Sequence, residues 1–362
     1  MTVEHGGRVF EASERLGRPL AEILDFSSNT NAFFDLEGVK ELLRENLDWL
    51  ALYPDLDRSR RALSSFLQIP PSNLWVGNGS GQLIYLVLQA LRPREVLIPV
   101  PTFSEYERAA QATGAKVSFL QLRQQEGFRL EPRALLQALS PETEAVFLCN
   151  PNNPTGGLVS EEGLFELHRA LEGRGIWLLV DEAFVDFVVP QRRPSLERRA
   201  LEGRLVLLRS LTKALAIPGL RLGYIVGPQG VVERVEGISP PWPISTFAQL
   251  ILEHLEELWR TFEEGLPQLF GQREALKEKL QGLFEVFPSE ANFFLVRTGV
   301  PSGALASSLL RRGILVREGK GFRGLGEGFI RVAVRRPEEN SRLIEALKEV
   351  KDGSLESGNR RD

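Results

Sequence analysis

The sequence predicts an α/β fold: a mostly parallel, seven-stranded sheet sandwiched between helices, with a smaller α+β domain after it and an arm before it. Three observations point there. Between residues 74 and 226, short apolar runs alternate with longer segments of helical periodicity. Several of those runs end in turns rich in glycine, asparagine or proline, as parallel strands do where they pass the chain to a helix. After Pro228 the alternation gives way to long helical segments and then to a short mixed set. Strands that are apolar on both faces belong to a sheet covered on both sides.

Residues 1–35 read as an irregular arm rather than a packed element. His5-Gly6-Gly7 opens it, and Asp25-Phe26-Ser27-Ser28-Asn29-Thr30-Asn31 closes it. Leu36 to Leu50 has apolar positions at helical spacing, broken by Tyr53-Pro54-Asp55. The large domain, 36–240, places strands at Leu74 to Val76, Glu95 to Val100, Lys116 to Leu120, Ala145 to Cys149, Ile176 to Val180, Leu205 to Leu208 and Leu222 to Val226. Helices fall at Leu83 to Leu91, Glu105 to Thr113 and Glu161 to Glu172. The small domain, 241–350, opens with helices Thr246 to Leu258 and Leu266 to Leu283. Strand Ala291 to Val296, helix Ser302 to Arg311, strands Ile314 to Arg317 and Phe329 to Val334, and helix Glu338 to Glu349 follow. Residues 351–362 are polar and are expected to be disordered.

Composition excludes several classes of function. With 362 residues, 43% hydrophobic and 25% charged, the chain can bury a large core. A net charge of −4 gives no reason to expect nucleic acid or an anionic membrane as partner. No apolar run reaches the roughly 20 residues a bilayer span needs. The polar N-terminus lacks the apolar stretch of a secretion signal, so a cytoplasmic location is expected. The single cysteine, Cys149, allows no internal disulfide and no cysteine-based metal site of its own. His168 and His254 fall on helical segments and read as solvated.

Lys213 carries the chemistry. Arg209-Ser210-Leu211-Thr212-Lys213 follows one strand, and Gly219-Leu220-Arg221-Leu222-Gly223-Tyr224 leads into the next. A lysine held between core strands can lose its proton and act as an amine nucleophile. Ser210, Thr212 and Arg221 can hold a phosphate through hydroxyls and a guanidinium fork. An amine able to form a Schiff base, beside a phosphate grip, is what pyridoxal phosphate requires. Taken alone the Ser-x-Thr-Lys string is common, and other strand ends have to support it. Gly77-Asn78-Gly79-Ser80-Gly81 is either a tight turn or a phosphate cradle at a helix N-terminus. Asp181 ends an apolar strand, as a helix N-cap or as a carboxylate against a pyridine nitrogen. Asn153 either shapes an Asn-Pro turn or donates its amide to the ring oxygen. Ligands of parallel α/β sheets bind at these carboxyl ends.

Four strings, Asn153-Pro154-Thr155-Gly156, Asp181-Glu182-Ala183-Phe184, Ser210-Leu211-Thr212-Lys213 and Gly219-Leu220-Arg221-Leu222-Gly223, occur in this order with strand-helix units between them. In these the chain resembles the fold-type I pyridoxal-phosphate enzymes of the class I/II aminotransferase superfamily, over residues 5 to 350. His5-Gly6-Gly7, Leu24 to Asn31, Phe184, and the segments around Lys213 and Arg221 are most similar to the branch that decarboxylates L-threonine O-3-phosphate in cobalamin biosynthesis. The branch that transaminates histidinol phosphate comes next.

The resemblance implies a role for each position. Lys213 would bind the cofactor covalently and move protons. Asp181 would pair with the pyridinium nitrogen and Asn153 with the ring oxygen, with Phe184 nearby. Phe103 would stack on the ring, with Tyr106 as the second candidate. Gly79, Ser80, Ser210, Thr212 and Arg221 would bind its phosphate, joined by Tyr53 from the neighbouring subunit of a homodimer. Arg331, helped by Asn152, would grip a substrate carboxylate. His5, Gly6, Gly7, Asn29 and Arg317 would form a substrate-phosphate pocket; on residue type alone both arginines read as surface charges, but the period-2 position of Arg331 within an apolar strand favours an inward role for it. A non-catalytic protein on this fold is disfavoured by the presence of both Lys213 and Asp181. The chain departs from the superfamily pattern at three places. Ala32 stands where relatives have proline, Ser80-Gly81-Gln82 replaces acidic residues after the glycine turn, and Phe184 lacks the hydroxyl that many aminotransferases place near the ring oxygen.

Overall fold

A computed structural model describes residues 5–358. Its centre is a seven-stranded sheet in the order Leu74–Asn78, Leu222–Val226, Leu205–Ser210, Trp177–Asp181, Thr143–Cys149, Glu95–Val100, Lys116–Gln121. Leu222–Val226 runs antiparallel to both neighbours, and the other pairings are parallel. Leu205–Ser210, Glu95–Val100 and Leu222–Val226 are buried along their whole length. That burial is why they read as unbroken apolar runs. One apolar cluster, with Val146, Leu178, Leu207 and Phe262, covers one face of the sheet. A second, with Leu88, Ile98, Phe147 and Leu179, covers the other.

The small domain is a four-stranded antiparallel sheet, ordered Arg317–Glu318, Phe329–Ala333, Phe293–Arg297, Glu285–Val286. Its core contains Leu276, Phe294, Ile330 and Leu347. The first long helical stretch breaks at His254. Helix Thr246–Glu253 is followed by one continuous helix, Leu255–Gln281, which starts well before the expected Leu266 and runs through Pro267. Leu255, Phe262 and Leu269 pack into the large domain's core and Leu276 and Leu280 into the small domain's, so this helix joins the two domains.

The arm differs from its expected irregular form. It holds helix Val9–Leu16 and strand Leu24–Asp25, which pairs in parallel with Ile314–Leu315. Phe26 is fully buried in the small domain's core, and its carbonyl accepts from the Ala333 amide at 3.0 Å. The C-terminal end differs too. Helix Pro337–Gly358 continues into the 351–362 segment expected to be disordered, and residues 359–362 lie outside the described ones. Lys351 anchors the start of that extension, donating to the Leu283 carbonyl at 2.8 Å and lying over the Phe284 ring. His168 is buried, not solvated, on a helix packed against the sheet. Among the described residues no helix is long and apolar enough to cross a membrane.

Candidate active site

The carboxyl ends of the parallel strands open onto a cavity of about 350 Å³ between the two domains and the arm. Lys213 lies on a single helical turn, Leu211–Ala214, directly after strand Leu205–Ser210. Burial, together with the nearby charges of Arg331 and Arg221, lowers its amine to about 8; Asp181 and Asp25 act the other way. The arm secures this turn. Asn31 donates its amide to the Lys213 carbonyl at 3.0 Å and its side chain to the Ala214 carbonyl at 3.1 Å.

Asp181 ends the neighbouring strand, fully enclosed. Its Oδ1 accepts from the Ala183 amide at 2.9 Å and its Oδ2 from the Tyr106 hydroxyl at 2.8 Å. It therefore caps the local turn and also lines the cavity. Burial raises its carboxyl to about 6, against those two hydrogen bonds and the charge of Lys213. Tyr106 stacks on Phe147 at 4.3 Å between ring centroids and is spent on holding Asp181. The Tyr106 and Phe103 rings both line the cavity, and Phe103 is the one that lies against His5 of the arm.

A phosphate cradle forms at one end. Ser210 and Thr212 share a 2.9 Å hydroxyl contact, next to Ser80 and Arg221. Helix Gly79–Leu91 begins here and aims its free amides at the same spot. Gly79 has φ +73°, and a Cβ there would lie 2.7 Å from Arg221 Nη2, so the guanidinium needs a glycine beneath it. A cradle of this kind, with a buried carboxylate and a lowered amine across the same cavity, fits pyridoxal phosphate.

The opposite wall comes from the small domain and the arm. Arg331 reaches in from strand Phe329–Ala333, donating to Asn153 Oδ1 and to the Ser27 carbonyl. Its cross-strand partner is Arg317, which lines the same cavity. Asn29 is buried with no hydrogen-bond partner on Oδ1. His5 and Gly6 also line this wall. Gly6 presses so closely on Ser27 that a Cβ would lie 2.1 Å from its carbonyl oxygen. Gly7 donates its amide to Ser27 Oγ at 2.9 Å and stands just behind the cavity.

Two expected site residues lie elsewhere. Asn152 turns away from the cavity: it accepts from Thr102 Oγ1 and donates to the Pro101 carbonyl and to Thr155 Oγ1, bracing the loop that presents Asn153. Tyr53 is 75% exposed and stacks on Trp242, outside this chain's own cavity. Phe184 borders the cavity with its ring edge-on to Phe293. Ser27, Phe322 and Glu105 line the cavity without having been singled out. Phe322, under the Arg317 and Arg331 guanidiniums, sits in a glycine-rich loop with no pattern to mark it. Glu105 reads in sequence as an ordinary acidic residue in a first helical turn.

The chain is similar to known proteins along most of its length. The family described as aminotransferase class I and II matches residues 21–347. A threonine-phosphate decarboxylase of Salmonella typhimurium is 35% identical over 96% of this chain and 97% of its own. Two solved structures superpose over 91% of this chain and 100% of theirs. The histidinol-phosphate aminotransferase of Clostridium acetobutylicum has a TM-score of 0.83 at 28% identity, and the L-threonine-O-3-phosphate decarboxylase of Porphyromonas gingivalis 0.80 at 27%.

Proposed function

This chain belongs to the class I and II aminotransferase family of pyridoxal-phosphate enzymes, and within that family we propose that it decarboxylates L-threonine O-3-phosphate. The observation that carries the proposal is the pairing of Arg317 with Arg331. They stand directly opposite each other on adjacent antiparallel strands, both buried, and both line the cavity. Like charges in that position destabilise a sheet unless anions answer them. Burial and the Arg317 charge lower the Arg331 guanidinium to about 9 while Asp25 acts the other way; it stays charged, and a substrate anion would add to the answer Asp25 gives it. L-threonine O-3-phosphate brings two anions, a carboxylate and a phosphate. Histidinol phosphate itself brings only the phosphate, and in its transamination the carboxylate would arrive separately, on the keto-acid.

Lys213 would hold the cofactor covalently, the Ser210–Thr212–Arg221–Gly79 cradle its phosphate, Asp181 its ring nitrogen and Asn153 its ring oxygen. When bound, pyridoxal phosphate supplies an electron sink for whichever bond at the substrate's Cα stands perpendicular to its ring. The protein's part is orientation. Arg331 grips the carboxylate; Arg317, His5 and Asn29 take the phosphate; two fixed ends leave the Cα substituents one arrangement. Asp181, ionised, would hold a proton at the ring nitrogen. Lys213, its amine lowered by burial, would serve as the base and acid toward Cα. We further infer that the active unit is a homodimer, with Tyr53 completing the phosphate site of the other subunit.

The purified enzyme, incubated with the cofactor and L-threonine O-3-phosphate, is expected to release carbon dioxide without any keto-acid. Turnover only on addition of 2-oxoglutarate would make it an aminotransferase instead.

A further inference from the structure

The wall that faces the substrate contains one carboxylate that the proposed reaction does not use. Glu105 begins helix Glu105–Ala112 and lines the cavity. Its Oε1 lies 3.1 Å from His5 Nε2 and accepts from Arg108 Nη1 at 2.9 Å, and its Oε2 accepts from the Tyr85 hydroxyl at 2.7 Å. Three partners from three segments fix this carboxylate in place. The His5 ring is also held from the side by Phe103, tilted at 53° with centroids 5.7 Å apart. Arg317 is the other cation that bears on His5 from across the cavity.

Resting on the reading of a phosphorylated substrate, we propose that Glu105 is a specificity-determining positioning residue, which orients His5 and stabilises its imidazolium so that Nδ1 donates to the substrate's phosphoryl group. With Nε2–H committed to Glu105, Nδ1 is the ring nitrogen left for a ligand. A neutral ring offers only a lone pair there, which repels a phosphate. A protonated ring offers a donor. In the free protein, burial and the positive Arg317 and Arg108 work against that proton, and Glu105 works for it. An arriving dianion tips the balance, so the ring gains its proton as the phosphate binds. Because His5 belongs to the arm, the same pair ties the arm to the large domain across the cavity mouth.

The test is a titration of holoenzyme with O-phospho-L-threonine and, separately, with L-threonine. It follows the visible absorbance of the bound cofactor between pH 6 and 9, in wild type, Glu105→Gln and Glu105→Asp. Glu105→Gln is expected to weaken O-phospho-L-threonine about tenfold at neutral pH and L-threonine far less. The alkaline loss of phosphothreonine affinity should begin about one pH unit lower, since imidazolium has lost its carboxylate. Glu105→Asp should recover part of both effects. Equal weakening of the two ligands, or an unmoved pH profile, would overturn the proposal and leave Glu105 a structural residue. So would a wild type with no preference for the phosphorylated ligand. A wild type that binds phosphothreonine tightly but releases no carbon dioxide refutes the decarboxylase reading alone, and the Glu105 comparison still stands.

Discussion

Lys213 shows how one side chain takes its chemistry from burial. At about 8, its amine is neutral in about a tenth of molecules at pH 7 and in about nine-tenths at pH 9. Only the neutral amine attacks an aldehyde, so the apoprotein is expected to capture pyridoxal phosphate faster as pH rises through 8. Stopped-flow absorbance across pH 6.5 to 9.5 checks this; a flat profile would mean that Lys213 is neutral throughout. Asp181 runs the opposite way, since burial raises it to about 6 and the Tyr106 hydroxyl holds it down. In Tyr106→Phe the carboxyl should rise further, by up to about one unit. Activity that needs ionised Asp181 then loses its acidic limb first. The expected outcome is a several-fold fall in kcat at pH 6.5 that closes by pH 8.5. A uniform loss at all pH values would make Tyr106 merely a packing residue. These two positions were legible in sequence because a charged residue at the end of an apolar strand is conspicuous. Glu105 was not, because its role depends on His5, a hundred residues earlier. Asn152 and Asn153 show the same limit: one braces the loop and the other faces Arg331, and adjacent identical residues carry no sign of which is which.

At the scale of the element, the site depends on the spacing between strands Trp177–Asp181 and Leu205–Ser210. Behind them lies a buried ion cluster. Arg209 donates to Glu182 at 2.7 Å and to Glu197 at 2.6 Å, with Asp186 at 3.6 Å. Glu182 directly follows Asp181, and Arg209 directly precedes Ser210, so the cluster clamps the Asp181 strand end to the Ser210 strand end. Arg209→Met should cost about 3–5 kcal/mol, because three carboxylates lose their shared cation. The sign with pH is fixed by Glu182, which burial raises to about 7 from an ordinary carboxylate value. A carboxyl raised in the folded state favours folding at low pH and loses that contribution as pH climbs through 7. The variant's deficit should therefore be smaller at pH 5.5 than at pH 8 in urea unfolding. A deficit under about 1 kcal/mol at both pH values would show that the cluster is neutral in stability. The strands themselves were readable because two-sided burial writes an unbroken apolar run. The arm was not, because its strand Leu24–Asp25 exists only by pairing with Ile314–Leu315, and nothing local signals a partner so far along the chain.

For the whole molecule, the question is why so much apolar surface stands in water. Leu47, Leu50, Leu52, Tyr53 and Trp242 are all at least half exposed, gathered where the short helix Leu47–Ala51 meets the turn before helix Thr246–Glu253. Tyr53 and Trp242 stack at 4.1 Å, and Thr246 Oγ1 ties the segment down by donating to the Trp49 carbonyl at 3.1 Å. A held, apolar, aromatic patch of this kind marks a surface made to be covered. In the proposed homodimer, a two-fold contact would cover it with itself and carry Tyr53 toward the other subunit's cavity. The expected result in sedimentation is a dimer in the wild type and a monomer in Leu50→Glu. Dimer formation alone does not show that the sites are shared, but mixing does. Lys213→Ala cannot attach the cofactor, and Tyr53→Ala, assayed at limiting cofactor, should weaken its grip in the partner's site enough to leave little activity. In a heterodimer of the two, one site carries both lesions and the other carries neither. Exchanging subunits of the two near-inactive variants should then restore about a quarter of wild-type activity, half the dimers being mixed and each holding one intact site. If each subunit's Tyr53 served its own cavity, every site in the mixture would keep one lesion, and the activity would stay at the average of the two parents.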